Sequence, residues 1–528
     1  MPATPPNRCI PRIENPKDVK KRVFPLKRHT YSYFDESKPH AGLGRDSLHS
    51  GIAFMAARGL NMFVQLGTTI LLARLLSPRD YGLVAMVLAL VGFAPMLIDL
   101  GTTDATIQRK RLTHVGASTL FWLKMAIAGV LTLLLVGSSG IIAAFYGEPA
   151  LVEIALVSSL TFLITAASVQ HFALMRRAMQ FRQMALIEIS SNIIASIAAI
   201  VMAFSGLGYW ALVAKPILTI ALASVAAWMC CPWMPGRPRF TTEAKELLRF
   251  GMGVTGFTMT DNVAQSADRV ALGYLFGAGP LGYFQNALLL YGNSLSLFGQ
   301  LHDVAVSSLS KLRSNLDELK RSWAAALSSL TFFSMLAFAG LAVTGQDFVV
   351  ILMGQKWEAA GPLLCIFAVR GIVHVVERTL GWLHVAAGRS DRWMRWGVFS
   401  VAFQLVALAA GIPFGPVGVA AAYTVATFCL FVPALTYAGR PLGIGVQDVL
   451  RAVGPQTVAA LATVAIGFAA RRLFLDDYSQ IARFAISVPI CVAVYLAVAV
   501  GVFKVTAPIR LVFSLLGDFT SIRLRRAS

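Results

Sequence analysis

Charge is what this sequence has least of. Only 14% of its 528 residues are Asp, Glu, Lys or Arg, and 56% are hydrophobic, with a mean hydropathy of +0.67. A soluble domain carries about a quarter charged residues, so soluble and disordered classes are excluded and a membrane protein is implied. Acidic residues are scarcer than basic ones, 26 against 46, for a net charge of +20. Cysteine is sparse too. Cys9, Cys230, Cys231, Cys365, Cys429 and Cys491 show no paired spacing, which excludes a disulfide framework and a zinc site and reads them mostly as small buried hydrophobes. There is no phosphate-binding Gly-x-x-x-x-Gly-Lys run and no His-Glu-x-x-His pair, so the chain has no ATPase or zinc-protease signature. Long hydrophilic loops with catalytic carboxylates are also missing, which argues against an enzyme and against a cofactor or metal.

What is present is a series of apolar runs, each long enough to cross about 30 Å of hydrocarbon. Fourteen are read, at 51–75, 81–103, 117–145, 151–175, 184–205, 208–230, 250–275, 281–309, 323–345, 360–386, 393–413, 415–437, 450–470 and 484–503. Residues 1–50 are rich in Pro, Lys and Arg, lack the apolar core of a signal peptide, and read as a basic, disordered cytoplasmic tail. If that end is cytoplasmic, 34 of the 46 Lys and Arg fall inside, six outside and six within spans. Only the loop after span 13, with Arg471, Arg472 and Arg483, breaks the positive-inside rule. Both termini are therefore expected in the cytoplasm, and the basic balance calls for no nucleic acid.

The chain repeats at an offset of two hundred. Gly51, Gln65, Leu72, Leu75 and Gly82 recur as Gly251, Gln265, Leu272, Leu275 and Gly282. Two six-span lobes are expected, 51–236 and 237–440, related by an axis along the membrane normal because each has an even number of spans. Residues 441–504 add spans 13 and 14, and 505–528 form a second basic cytoplasmic tail. Arg58, Asn61, Gln65 and Thr68 share one face of span 1, and Thr258, Asp261, Gln265 and Asp268 repeat the stripe on span 7, with Arg269 beside it. Matching polar stripes imply a shared cleft.

An ionised group inside a bilayer is costly and usually faces the bundle interior or a hydrated path. The basic candidates for a substrate-binding cavity are Arg58, Lys124, Lys215, Arg269, Arg370 and Arg378, with Asn61 and Gln65 as amide partners. Asp261, Asp268 and Glu377 are candidates for coupling to an ion. His374 and His384 accompany them, and Asn286, Asn293, Gln300 and Asp303 make a further stripe on span 8. Basic groups neutralise phosphate or acidic sugar, while amides and hydroxyls bond sugar hydroxyls. The alternatives are structural: Lys124 and Lys215 are close enough to span ends to snorkel, and Glu377 can form an ion pair with Arg370 or His374 one turn away.

Several motifs resemble one family. Leu72-Ala73-Arg74-Leu75-Leu76-Ser77-Pro78-Arg79-Asp80-Tyr81-Gly82-Leu83 is followed by Asp99-Leu100-Gly101, Ile107-Gln108-Arg109-Lys110, Ser118-Thr119-Leu120-Phe121-Trp122 and Ala144-Phe145-Tyr146. Gly208-Tyr209-Trp210-Ala211-Leu212-Val213, Pro280-Leu281-Gly282-Tyr283 and Gly354-Gln355-Lys356-Trp357 extend the likeness over about residues 51–440. Together they resemble the Wzx-type polysaccharide or oligosaccharide-lipid flippases, whose superfamily also holds multidrug antiporters and the lipid II flippase.

The resemblance implies an all-α membrane protein of about fourteen helices in two lobes. It also implies alternating access that carries an undecaprenyl-diphosphate-linked sugar repeat unit across the bacterial inner membrane for surface polysaccharide. A polysaccharide polymerase and a chain-length regulator are the partners such a step suggests, besides membrane lipid. The competing readings are a drug or cation antiporter of the same superfamily, which needs an acidic aromatic cavity, and a membrane-embedded glycosyltransferase or polymerase.

Overall fold

The computed structural model describes residues 45–108, 112–239, 266–311, 316–386 and 390–510, with the side chains of 45–58, 108, 299–311, 316, 385–386 and 390 excepted. All regular structure among the described residues is helical. The first half comprises α1 (Arg45–Leu75), α2 (Pro78–Val91), α3 (Ala94–Asp99), α4 (Thr102–Gln108), α5 (His114–Tyr146), α6 (Ala150–Arg177), α7 (Phe181–Phe204) and α8 (Trp210–Cys230). The second comprises α9 (266–276), α10 (Ala278–Lys311), α11 (Leu316–Met353), α12 (Ala360–Ala386), α13 (Ser390–Gly411) and α14 (Gly415–Gly439). The appended pair is α15 (Val446–Ala470) and α16 (Gln480–Leu496).

Among the described residues, ten helical segments are long and apolar enough to span a bilayer, which makes this a multi-pass membrane protein. One of the ten, Asp391–Leu442, holds both α13 and α14. The count of fourteen rests in part on 240–265, which lies outside the described residues, as do the tails up to residue 44 and beyond 510. Phe63, Leu133, Ile141, Phe204 and Met229 are each more than 70% exposed, because the outer face of the bundle is solvated by lipid rather than water. The expectation of buried cysteines holds for Cys231 and Cys491 but not for Cys230 and Cys429, which are exposed on that apolar surface.

Packing repeats between the halves. α5 packs on α6, α6 on α8 and α7 on α8; correspondingly α11 packs on α12, α12 on α14 and α13 on α14. The halves meet where α2 crosses α10. A Cβ on Gly82 would lie 1.7 Å from the carbonyl oxygen of Ala278, and one on Gly282 would lie 1.9 Å from that of Pro78. Pro78 and Ala278, like the two glycines, are two hundred residues apart, so each half offers the other the same contact. Only a residue without a side chain allows helices this close.

The α1–α2 motif is a helix start. Ser77 caps α2 by accepting from Asp80 N–H while the Asp80 carboxylate accepts from Ser77 N–H at 2.8 Å, and Pro78 occupies the first turn, where an N–H would be idle. The second span, expected unbroken over 81–103, is divided. Leu100 and Gly101 adopt φ of 47° and 64°, which ends α3 and starts α4. Thr113 caps α5, and its Ser118-Thr119-Leu120-Phe121-Trp122 run receives residues 231–239 returning from α8. Trp122 Nε1 donates to Gly236 O at 2.9 Å, Gly236 N to Ser118 Oγ at 2.9 Å, and Thr119 Oγ1 to Arg239 O at 2.8 Å.

Several basic residues at the crossing end are locally satisfied, including two of the three that break the charge rule. Arg471 and Arg483, flanking the turn from α15 to α16, both reach Asp347 of α11, at 3.2 and 3.3 Å, and Asp347 is 1% exposed. Arg79 pairs with Glu148 at 2.9 Å.

Candidate functional site

The crossing end of the bundle is shut. Beside the glycine contact, Trp357 from the turn between α11 and α12 donates from Nε1 to Ala73 O of α1 at 2.7 Å and is fully buried. Its ring meets Tyr81 and Tyr283 edge-on, at 5.1 and 6.0 Å. Arg74 donates to the carbonyls of Ile351 and Leu352, Lys356 Nζ donates to Arg74 O at 2.8 Å, and Phe145 stacks on Tyr274 at 4.5 Å. Arg74, Tyr81, Phe145, Tyr283, Lys356 and Trp357 belong to the motifs that carry the family resemblance, and here they meet at the closed end.

Away from that seal the halves enclose two chambers. The first, about 830 Å³, is walled by α1, α2, α6, α7 and α8 and carries Asn61, Gln65, Thr69, Asn192 and Lys215. Arg176, in the last turn of α6, and Glu188 of α7 lie toward its far end. The second, about 770 Å³, is walled by α9, α10, α12 and α14 and carries Asp268, Arg269, Asn293, Arg370, Glu377 and Arg378. An adjoining space of about 340 Å³, reaching His384 and α13, shares Arg370, His374, Glu377 and Arg378 with it. Gln285 and Leu289 of α10 belong to the walls of both large chambers, which therefore adjoin along that helix.

The charged wall of the second chamber follows from helical spacing. Arg370, His374, Glu377 and Arg378 stand at i, i+4, i+7 and i+8 on α12 and so share a face. Arg370 is positioned from α14: its Nε donates to Thr427 Oγ1 at 2.9 Å, and its guanidinium lies over the Tyr423 ring at 5.6 Å. The ring Nδ1 of His374 shares a hydrogen bond with the Tyr291 hydroxyl. Asp268, 3% exposed, lies within electrostatic reach of Arg269 and Arg370, and Glu377 within reach of Arg370. Glu377 makes no direct ion pair among the described residues, so the one-turn partnership expected from sequence is replaced by a shared field.

The expected site residues are thus sorted by the fold. Asn61, Gln65 and Lys215 line the first chamber, and Asp268, Arg269, Arg370, Glu377 and Arg378 line the second. Asn192 of α7 donates to Asn61 Oδ1 at 2.6 Å. Lys124, expected in the cleft, is instead sealed inside the first half at 1% exposure. Its Nζ donates to Asp99 Oδ1 at 3.0 Å and Gln170 Oε1 at 3.3 Å, because an ammonium this deep needs a carboxylate more than an opening. The same Asp99 oxygen accepts from Thr103 N–H at the start of α4, so the Asp99-Leu100-Gly101 motif caps a helix and holds a lysine. Asp261 lies outside the described residues, as do the side chains of Arg58, Gln300 and Asp303. Asn293 lines the second chamber, whereas Asn286 is buried against Gly282 O.

Sequence reading did not single out Tyr291, Tyr423, Thr427, Glu188 or Asn192 as site residues. A buried Tyr or Thr on an apolar helix leaves no trace in periodicity, and the partners come from other helices.

A bundle of two similarly packed halves, sealed at one end over paired polar chambers, defines a transporter-type fold. The lipid II flippase MurJ, in an inward closed conformation, superimposes with a TM-score of 0.69 at 15% identity, over 87% of this chain and 99% of that one. A multidrug resistance MATE family transporter of the MOP superfamily, inward-facing, gives 0.53 at 12% identity, over 74% and 98%. The family described as "Polysaccharide biosynthesis protein" matches residues 71–362, and the chain belongs to that family. The lipopolysaccharide biosynthesis protein WzxC of Escherichia coli (strain K12) is 24% identical over 347 residues, 64% of this chain and 70% of that protein. The teichuronic acid biosynthesis protein TuaB of Bacillus subtilis (strain 168) is 25% identical over 58% and 64% of the two chains. The succinoglycan biosynthesis transport protein ExoT of Rhizobium meliloti (strain 1021) is 24% identical over 58% and 62%. The chain thus spans under two thirds of the length of the latter two.

Proposed function

We propose that this protein carries a lipid-linked oligosaccharide, an undecaprenyl-diphosphate-anchored sugar repeat unit, from the cytoplasmic to the opposite leaflet of the bacterial inner membrane for surface polysaccharide assembly. Family membership and relatives named for lipopolysaccharide, teichuronic acid and succinoglycan biosynthesis support the polysaccharide context. The single observation that carries the reading is the polar double chamber: a lipid diphosphate cannot cross hydrocarbon unless its charges and hydroxyls find replacement partners, and the chambers supply arginine, lysine, amide and hydroxyl groups. Arginines in the second chamber oppose an organic-cation substrate.

On the positive-inside count, both termini and the chamber ends near Arg176 belong on the cytoplasmic side and the sealed crossing faces outward. Alternating access then breaks the seal at Trp357 and closes the opposite end. Outward movement of about two negative charges is favoured by about 2.3 kcal/mol each at 100 mV, so the membrane potential biases loading toward release. Asp268 and Glu377 are the chamber carboxylates in position to take a proton or sodium ion when the empty carrier resets, and Asp261 is a third candidate on sequence grounds alone. A polymerase and a chain-length regulator are the partners that consume the product. Arg370→Ala is expected to abolish surface polysaccharide while leaving the protein in the membrane, with lipid-linked oligosaccharide accumulating in the cytoplasmic leaflet. Normal export in that variant, checked by leaflet-resolved labelling, refutes the assignment.

A further inference from the structure

Resting on that reading of the cleft, we infer that the two chambers divide the headgroup: the second holds the diphosphate, the first holds the sugars, and the phosphate–sugar junction sits at Gln285 and Leu289, which both walls share.

The shape of the cations is the first argument. The second chamber presents three guanidinium groups, Arg269 from α9 and Arg370 and Arg378 from one face of α12. Guanidinium forks bind phosphate oxygens in pairs, which an ammonium cannot do. The first chamber holds Lys215 in its body and Arg176 with Glu188 toward its end. Asp268 and Glu377 bring the net charge of the second chamber close to that of the first, so the distinction rests on donor geometry rather than on total charge.

Idle hydrogen-bonding atoms supply an independent argument. On the wall of the second chamber, Arg269 Nε and Asn293 Nδ2 are buried without a partner among the described residues; both are N–H donors, which an anion requires. On the wall of the first, the Tyr81 hydroxyl and the shared Gln285 Oε1 are likewise buried without a partner among the described residues. A carbonyl oxygen such as Gln285 Oε1 repels phosphate but accepts from a sugar hydroxyl. Pro216 adds another acceptor, since it has no N–H to give the carbonyl of Leu212, and both residues line the first chamber. Idle N–H donors on the second wall, an idle hydroxyl on the first and an idle carbonyl oxygen at the junction between them fit a ligand that is an anion at one end and a polyol at the other.

The test uses the full-length protein in nanodiscs and two probes: undecaprenyl diphosphate without sugar, and the same lipid carrying a tetrasaccharide. Arg269→Gln and Arg378→Gln are expected to weaken the sugar-free lipid about tenfold or more, with partial rescue by Arg378→Lys. Gln65→Leu and Thr69→Val are expected to hold the sugar-free lipid within about twofold of wild type and to weaken the glycosylated lipid about tenfold. Unchanged melting temperatures show that the variants fold. Loss of sugar-free binding in the Gln65 and Thr69 variants, or equal weakening of both lipids by all four, overturns the division of the headgroup while leaving the carrier reading intact. Binding of neither lipid by the wild type overturns both.

Discussion

At the scale of single residues, position in the fold separates charges that work on a ligand from charges that work on the protein. Lys124 and Lys215 look alike in sequence, each a lone lysine in an apolar run. Lys215 lines a chamber, whereas Lys124 is locked between Asp99 and Gln170. Lys124→Met is expected to leave the Asp99 carboxylate without its charged partner and to cost about 3–5 kcal/mol, read as a marked fall in melting temperature and membrane abundance. The double variant with Asp99→Asn should recover part of the loss; equal instability of the single and double variants would argue against the pair. The difference was not legible in the sequence because Asp99 reaches Lys124 only through the break at Leu100 and Gly101, and a backbone turned to positive φ leaves no hydropathy signal. Arg370 and Arg378, by contrast, were named from sequence as intramembrane charges, and both line the second chamber.

Among elements, the appended pair shows how a departure from a rule can have a structural cause. The three arginines that spoil the inside-positive pattern flank the α15–α16 turn, and two of them clasp Asp347. Arg471 also donates to Val343 O at 2.8 Å, so α11 anchors the pair through backbone and carboxylate together. Asp347→Asn is expected to leave two guanidinium groups without their counter-charge and to loosen α15 and α16 from the second half. Faster hydrogen exchange confined to 446–496 would be the signature, and unchanged exchange there would remove Asp347 from the docking. Among the described residues, helix existence and approximate ends were readable for most spans, from 114–146 to 446–470, because long apolar runs bounded by Gly, Pro or charge admit little else in a bilayer. The interruption of the second span was not readable, since its apolar content continues through the break.

For the whole molecule, the offset of two hundred is the feature that sequence and structure share most directly. It pairs Gly82 with Gly282, and the fold turns that identity into a reciprocal contact between the halves. Gly82→Ala places a methyl carbon 1.7 Å from the Ala278 carbonyl, so the halves must part by about 1.5 Å to regain ordinary contact. Export is expected to fall sharply with the fold intact, and thiols introduced next to Trp357 should become reactive from the sealed side. Wild-type export by both Gly82→Ala and Gly282→Ala would show that the seal tolerates separation. The chambers themselves were only half foreseen: spacing gave a stripe on α1 and composition named the charges of α12, but the aromatic and hydroxyl partners of Arg370 arrive from α14, far along the chain.

The passage from one half to the other carries a consequence of its own. Residues 231–239 are stitched along the start of α5 by Ser118, Thr119 and Trp122, with His114 contacting Met234 O at 3.1 Å. That stretch is a rib of the first half rather than slack rope between two bodies, although a division by repeat alone would cut through it at residue 236. A spectroscopic label at Met234 would therefore ride with α5 through every stroke, giving a fixed benchmark against which the travel of the other half can be clocked.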